Sequence, residues 1–299
     1  MGITTQIKKC VVDSARLLWW LQIFARNGTL TPSIRHIKPN KDRVFIFGNG
    51  PSLKEDITPY VRALQNEHTI MVNQSLTHSL ALQLKPTYYV LMDPAYWGHY
   101  TDEENHENSL TKCCMDLSKA LSKVYWNMIL LAPHNFFKRR NNKGIAIDNK
   151  NITIKTFNAT ELYSFARLER FLYKTNLAIP SGINVLIASL CCAIAMGYKK
   201  IYLLGADSNW HQQLYVDESN RLYLHDAHYY DEGSLPPKVY VPYTFSFVSK
   251  CMANAFRAYE ELGKLQFNIT NLSSTSMIDA FPRDSLKNVL GGGHINTMK

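Results

Sequence analysis

After Pro39 the sequence alternates between short strand-like runs and longer helix-like segments, and this alternation constrains the fold more than any other feature. The strand-like runs are apolar, β-branched or aromatic, and they comprise Val44–Phe47, Thr69–Val72, Tyr88–Met92, Met128–Leu131, Ile152–Phe157, Ile201–Leu204 and Phe267–Thr270. The helix-like segments lie between them, near residues 55–66, 75–84, 109–123, 161–174, 182–197 and 248–264. Strands that alternate with helices form βαβ units with right-handed crossovers, so the pattern predicts an α/β fold with a doubly wound, mostly parallel sheet.

The alternation also predicts the organisation of the chain into segments. Residues 41–283 form the α/β domain, and within it the Tyr-, His-, Asp- and Pro-rich stretch 207–247 is expected to be a lid insertion, because long loops in compact domains usually bind ligands or cover sites. Residues 1–40 form a separate basic, amphipathic segment, and the glycine-containing residues 284–299 are expected to be a flexible tail.

The N-terminal segment carries most of the net charge of +9, since residues 1–43 contain eight Lys or Arg and only two acids. Its apolar stretch includes Trp19 and Trp20 but is interrupted by Asp13, Arg16 and Gln22, which makes it too short to span a bilayer. A helix of this composition suits an anionic membrane surface. Packing on the core, or a contact in a homo-oligomer, explains the same residues equally well.

Composition excludes several classes of protein. Hydrophobic residues make up 46% of the 299-residue chain and charged residues 19%, which is enough apolar material for a sizeable core. The six cysteines include two adjacent pairs and no CxxC spacing, which favours free thiols in a reducing compartment. With no small-x-small cleavage site after the apolar stretch, we expect a cytoplasmic protein, with the inner face of the cytoplasmic membrane as a peripheral location. No nucleic-acid partner is expected, because no basic-aromatic alternation is present.

The first predicted strand runs into a glycine-rich turn, Gly48-Asn49-Gly50-Pro51-Ser52, and then into a helix. Glycines allow the backbone to approach a ligand closely, and amides at a helix start can bind a phosphate or ribose. The turn lacks the GK[ST] of a Walker A loop, and Leu53 stands where the dinucleotide motif has its last glycine. A tight turn with no ligand would need the same glycines.

Three further strand ends and one helix start carry polar residues that are expected at the same edge of the sheet. They are Asn73 and Gln74, Asp93 before Pro94, Asp207 after Gly205, and Ser181 with Gly182 before the clearest helix. Each residue alone is explained by a turn or a helix cap. Because ligands bind beyond the carboxyl ends of parallel strands, their shared position favours a binding site.

These motifs together resemble the bacterial sialyltransferases of glycosyltransferase family 42, the Campylobacter lipooligosaccharide type. The resemblance spans roughly residues 43–275 and rests on GNGPS after the first strand, NQ after the second, DP after the third, and SG followed by a helix and GYKKIYLLGAD. GNGPSL is also shared, more distantly, with MptE-like proteins, which are pterin pyrophosphokinases.

The resemblance implies a Rossmann-like GT-A variant that is metal-independent, needs no cofactor, and inverts the anomeric centre of a sugar taken from a CMP-sugar. It places the donor on nine residues: Asn49, Gly50, Ser52, Asn73, Gln74, Asp93, Ser181, Gly182 and Asp207. It also assigns Tyr215 to the leaving phosphate and the general base to a histidine of the lid, for which His228 is the first choice and His225 the second. A histidine with an ordinary pKa near 6.5 suits that role.

We therefore expect a glycosyltransferase that moves an acidic sugar, sialic acid or Kdo-like, to a hydroxyl of a surface glycan or glycolipid, as in lipopolysaccharide or capsule biosynthesis. Two alternatives remain open. One is an MptE-like pyrophosphokinase or phosphotransferase that uses ATP and magnesium, held by carboxylates such as Asp93 and Asp207. The other is a non-catalytic module that binds a nucleotide or a glycan.

Overall fold

The computed structural model describes residues 3–100, 109–181, 184–224, 228–229, 238–239 and 244–291. Within these ranges the chain forms ten strands. They are β1 (Arg43–Phe47), β2 (His68–Val72), β3 (Tyr88–Val90), β4 (Met128–Pro133), β5 (Ile152–Phe157), β6 (Lys200–Leu204), β7 (Leu214–Val216), β8 (Leu222–Leu224), β9 (Lys238–Val239) and β10 (Ile269–Asn271). The runs of β-branched and aromatic residues thus occupy the strands that the sequence predicts.

The central sheet has seven strands in the order β10-β6-β1-β2-β3-β4-β5, and every neighbouring pair is parallel. The chain builds outward from β1 to β5, then returns to place β6 on the other side of β1. The strand order therefore switches between β1 and β6, where ligands of such sheets usually bind. This architecture confirms the predicted α/β, Rossmann-like fold.

Ten α-helices accompany these strands in the described ranges. They are α1 (Ile3–Asn27), α2 (Leu53–Ile57), α3 (Val61–Leu64), α4 (Ser79–Leu84), α5 (Ser109–Ser122), α6 (His134–Lys138), α7 (Ala166–Lys174), α8 (Val185–Met196), α9 (Phe245–Lys264) and α10 (Leu286–Val289). Among them, no helix is both long and apolar enough to cross a lipid bilayer.

Two hydrophobic cores lie on the two faces of the sheet, because successive residues of a strand point to opposite faces. Val44 and Ile46 of β1 belong to the core that contains α8 and α9, whereas Phe45 and Phe47 belong to the core that contains α5. The helix α8 is apolar on all sides and almost completely buried. It ends at Gly197, whose φ of 90° is the left-handed conformation of a helix C-cap.

Three predicted helices begin or break differently from the sequence expectation. The segment 55–66 divides into α2, a 3-10 turn (Thr58–Tyr60) and α3, because Pro59 has no N–H to continue the helix. The segment 75–84 contains α4 only from Ser79, after a 3-10 turn over Asn73–Thr77. The helix α7 starts at Ala166, since Glu161 forms a β-bridge with Ile179 instead.

The predicted lid and tail both contain regular structure. Strands β7, β8 and β9 form a small antiparallel sheet inside the segment 207–247. The tail that was expected from residue 284 begins with α10, which is capped by the Ser285 hydroxyl and buries Leu286. Residues 292–299 lie outside the described ranges.

Candidate functional site

The turn after β1 packs directly on the turn after β6. The Gly48 amide donates to Leu204 O at 2.8 Å, and the Gly50 amide donates to Gly205 O at 2.9 Å. A Cβ on Gly48 would lie 2.3 Å from Gly205 O, so a side chain cannot fit there. The glycines of the GNGPS motif therefore allow two backbone turns to meet at the switch point of the sheet. The Gly50 amide is already hydrogen-bonded to the Gly205 carbonyl.

Asp207 holds this junction together with both of its carboxylate oxygens. Its Oδ2 accepts hydrogen bonds from the Ser52 hydroxyl at 3.1 Å and the Ser52 amide at 3.4 Å. Its Oδ1 accepts one from the hydroxyl of Thr275, in the loop that follows β10. Asp207 is 3% exposed and Ser52 is 8% exposed. These two predicted donor-binding residues are therefore brought together, and their side chains bind each other.

The turn after β2 is hydrogen-bonded to the turn after β1 and carries Asn73. Asn73 has a φ of 51°, a left-handed conformation that asparagine tolerates better than most residues. Its side-chain Oδ1 is buried and has no hydrogen-bond partner in the described part of the chain. Its neighbour Ser75 donates to Asn49 Oδ1 at 2.6 Å, which links the β2 turn to the β1 turn. A buried acceptor without a hydrogen bond lowers the stability of the fold unless a ligand or a water molecule donates a hydrogen bond to it.

The start of α8 lies against the same junction. Leu186, in its first turn, is the side chain nearest to Gly48. Ser181 precedes this helix, is 1% exposed and donates to Glu161 Oε1 at 3.5 Å. The N-cap of α8 is Asn184, whose Oδ1 accepts from the Leu186 amide at 2.8 Å, so Ser181 is not the cap. Gly182 lies outside the described residues.

The remaining predicted donor residues lie at the ends of β2 and β3. Gln74 donates through Nε2 to the Cys113 carbonyl at 3.3 Å and to the Tyr96 hydroxyl at 3.4 Å, which fixes its side chain against α5. Asp93 is exposed, and its Oδ1 accepts from the Ala95 amide at 2.8 Å, so it caps the 3-10 turn Pro94–Trp97. Both residues therefore have a structural role in addition to their place at the sheet edge.

The described part of the lid contacts the β1 turn through Tyr229. Its amide donates to Asn49 O at 3.0 Å, which places the adjacent His228 one residue from this contact. Burial raises the pKa of the Tyr229 phenol to about 12, against the opposing effect of a hydrogen bond with Ser75. The phenol is therefore protonated at neutral pH. Tyr215 is 46% exposed on β7 and stacks on Tyr223, with ring centroids 5.2 Å apart, whereas His225 lies outside the described residues.

Sequence reasoning missed three side chains that organise the site. Ser75 connects Asn49 to the β2 turn, Thr275 binds Asp207, and the ring of His78 lies 6.4 Å from that of Tyr229 in an edge contact. His78 follows the Asn73-Gln74 pair closely in sequence, and this position could have predicted that it lies near the site. Thr275 lies in a Ser-Ser-Thr-Ser run after β10 that gives no indication of its partner.

No group of three or more His, Cys, Asp or Glu side chains in the described ranges is arranged to hold a metal ion.

Comparison with family models identifies the chain. The model of the family described as "6-hydroxymethylpterin diphosphokinase MptE-like" matches residues 23–213, which include β1 to β6 and the GNGPS turn. The chain belongs to the MptE-like family. This is the second resemblance that the GNGPSL motif indicates, and it is confirmed; the resemblance to glycosyltransferase family 42 stays a prediction. No curated protein is significantly similar to this MptE-like chain in sequence.

Two solved structures match the chain at low identity. One is the MAf glycosyltransferase from Magnetospirillum magneticum AMB-1, at 14% identity and a TM-score of 0.44, with 83% of this chain and 34% of that chain covered. This chain thus spans about a third of that protein's length. The other is a mammalian sialyltransferase in complex with Gal-beta-1-3GalNAc-ortho-nitrophenol, at 12% identity and a TM-score of 0.33, covering 86% of this chain and 85% of that chain.

Proposed function

We propose that this chain is a transferase that binds a nucleotide-activated donor at the carboxyl edge of β1, β2 and β6. The observation that carries the proposal is the unpaired, buried Oδ1 of Asn73 beside the turn that holds Asn49. A buried amide acceptor suits a ligand hydroxyl or amino group, such as those of a ribose or a cytosine. The edge lies at the switch in strand order, where doubly wound sheets bind nucleotides.

In the form that we favour, the donor is a CMP-activated acidic sugar and the enzyme is an inverting, metal-independent glycosyltransferase. CMP leaves with a single phosphate, and neutral donors such as a protonated phenol can stabilise that charge without a cation. We assign this role to Tyr229, whose amide donates to Asn49 O and whose phenol is protonated at neutral pH. Its role supplements that of Tyr215, which the sequence resemblance assigns.

The acceptor is a hydroxyl of a glycan or glycolipid, which must lose a proton as the new bond forms. We assign this proton to His228, and the hydrogen bond of the adjacent Tyr229 with the β1 turn supports the assignment. His78 is a second candidate on the rim, through its contact with the Tyr229 ring. A cytoplasmic enzyme held peripherally at the inner face of the membrane would meet a glycolipid acceptor there.

The second candidate function is a diphosphokinase of the MptE-like type, which the family match favours. That reaction uses ATP with magnesium. Asp93 and Asp207 are the carboxylates that lie at the carboxyl edge of the sheet and could bind the metal ion. Asp207 already accepts hydrogen bonds on both oxygens from Ser52 and Thr275. A metal ion there would have to share these oxygens with the two hydroxyls, and for this reason we place the glycosyltransferase first.

Release of CMP from CMP-sialic acid and CMP-Kdo tests the proposal, with lactose and lipooligosaccharide as acceptors and with EDTA or magnesium added in parallel. We expect CMP release that EDTA does not reduce. Transfer of a diphosphate from ATP to a hydroxymethylpterin, abolished by EDTA, would instead establish the second function. Binding of CMP with no turnover of either donor type would identify a non-catalytic module.

A further inference from the structure

The helix α1 packs on the domain with only one side. Trp20 and Phe24 are 6% and 9% exposed and belong to the core that contains α8 and α9. Asp13, on the same side, is buried and its carbonyl accepts from the Ser164 hydroxyl at 3.2 Å. This side of the helix therefore packs on the domain, whereas the apolar residues on its other sides are exposed to solvent.

The uncovered side of α1 is strongly apolar. Ile7, Val11 and Leu18 fall on one helical face by their spacing, and their exposed fractions are 59%, 64% and 64%. Trp19 and Leu21 beside them are 58% and 49% exposed. We call these five residues the apolar stripe of α1. Large apolar side chains that share one exposed face commonly mark an interaction surface.

The exposed charged residues of α1 itself are all positive. Lys8, Lys9, Arg16 and Arg26 of α1 are exposed, whereas Asp13, which is the single acidic residue of the helix, is buried and lies 3.6 Å from Arg16. The exposed surface of α1 therefore combines apolar and basic side chains without a carboxylate.

A second basic segment adjoins the end of α1. Residues 138–155 contain six Lys or Arg and one acid, and Arg139 Nη2 donates to Asn27 Oδ1 at 3.1 Å. Thr29 and Asn158 are joined by two further hydrogen bonds, of 2.9 and 2.8 Å. Residues 1–43 have a net charge of +6 (8 − 2) and residues 138–155 have a net charge of +5 (6 − 1), whereas the net charge of the whole chain is +9. The remaining residues therefore have a small negative net charge. The hydrogen bonds of Arg139 with Asn27 and of Asn158 with Thr29 place the second basic segment and the end of α1 on the same side of the molecule.

We propose that this side is a docking surface for an anionic lipid bilayer, in which the apolar stripe of α1 enters the interface and Lys138, Arg139 and Arg140 bind lipid phosphates. Interfacial helices combine these two features. Binding of a nucleic acid would not bury the five exposed apolar side chains. Association of two copies of the chain through this side would bring their positive charges together, and these charges repel each other. The inference does not depend on the identity of the donor.

Cosedimentation of the whole chain with vesicles tests the proposal. The vesicles are phosphatidylcholine alone, or phosphatidylcholine mixed with phosphatidylglycerol. We expect binding only to the anionic vesicles, weakened by salt. Because each base near such a surface contributes about 1 kcal/mol, the triple variant K138E/R139E/R140E should bind at least about a hundredfold more weakly. The triple variant K250E/K264E/K287E changes the net charge equally at other exposed positions and should bind like the parent chain.

A second variant tests the apolar part of the surface. Leu18→Ser and Val11→Ser together leave every charge in place and remove no core contact, since both side chains are mostly exposed. We expect weaker vesicle binding with unchanged thermal stability. Equal binding by this variant, or by the K138E/R139E/R140E variant, would overturn the proposal. If the chain did not bind the anionic vesicles, two further results would also overturn the proposal. One is selective binding of a DNA or RNA duplex, and the other is a dimer in solution that the serine variant abolishes.

Discussion

Asp207 Oδ2 accepts a hydrogen bond of 3.1 Å from the Ser52 hydroxyl, across a sequence separation of 155 residues. The bond joins the turn after β6 to the turn after β1 at the point where the strand order switches. Both side chains are buried, so the bond contributes to the shape of the candidate site and to the stability of the domain. Asp207 is thus a positioning residue as well as a candidate for direct donor binding.

We predict that Ser52→Ala and Asp207→Ala are energetically coupled. Asp207→Ala leaves the Ser52 and Thr275 hydroxyls without their acceptor and should lower the free energy of unfolding by about 1–3 kcal/mol. The double variant should be less destabilised than the sum of the two single variants, by about 0.5 kcal/mol or more. Urea unfolding of the four proteins measures this coupling. Strictly additive losses would show that the two side chains act independently.

Gly50→Ala should disrupt the junction itself. A Cβ at this position would lie 1.7 Å from Asp207 Oδ2 and 2.7 Å from Gly205 O, so the two turns must separate. We expect a loss of about 1–3 kcal/mol in stability, as for other overpacked sites, together with weaker nucleotide binding. The exposed neighbour supplies the control, because Pro51→Ala should leave nucleotide affinity unchanged. A stable Gly50→Ala protein with the affinity of the parent chain would contradict the described packing.

His228→Ala should lower turnover far more than it lowers donor affinity. Loss of a general base typically reduces the rate by about 10²–10⁴. His78→Ala distinguishes the two histidines of the rim, and His211→Ala is the control, since His211 is exposed in the 3-10 turn Trp210–Gln213. The readout is kcat across a pH series, with CMP affinity measured on the same preparations. If His78→Ala alone removed turnover and the acidic limb of the pH profile, where a general base titrates, the assignment of His228 would be wrong.

Much of this arrangement could be predicted from the sequence, because it depends on local patterns. Alternating apolar runs predicted the strands, and the glycines and polar strand ends predicted the edge where the β1 turn contacts Asp207 through Ser52 and the β2 turn through Ser75. The partners of these residues could not be predicted. Thr275 and Ser75 reach the site through long-range contacts that no spacing encodes. The single-sided packing of α1 also depends on residues distant in sequence, such as Ser164.

The stability of the domain should depend on pH through Glu169. Burial, and then the nearby acids Glu261 and Asp13, raise the pKa of its carboxyl group from 4.5 to about 7, although the Ser164 amide opposes the shift. Between these values the folded chain keeps a proton that the unfolded chain has released, so this group makes stability fall as pH rises toward 7. Glu169→Gln should therefore stabilise the protein at about pH 8 and have little effect at about pH 5.

Thermal unfolding in matched buffers measures that difference. Glu260→Gln is the control, because Glu260 is exposed and pairs with Lys264 on the surface of α9. Its melting temperature should follow that of the parent chain at every pH. A Glu169→Gln protein whose stability changed equally at both pH values would show that Glu169 is ionised in the same way in the folded and unfolded chains.

Asn73→Gly tests the central claim most directly, with CMP affinity measured by calorimetric titration. Glycine adopts the φ of 51° without strain, so the variant should fold at least as stably as the parent chain while lacking the unpaired Oδ1. Since a hydrogen bond contributes about 0.5–1.5 kcal/mol, we predict CMP binding to the parent chain and an affinity up to about tenfold lower for Asn73→Gly. Equal affinity for both proteins, or no binding of CMP to the parent chain, would contradict the account.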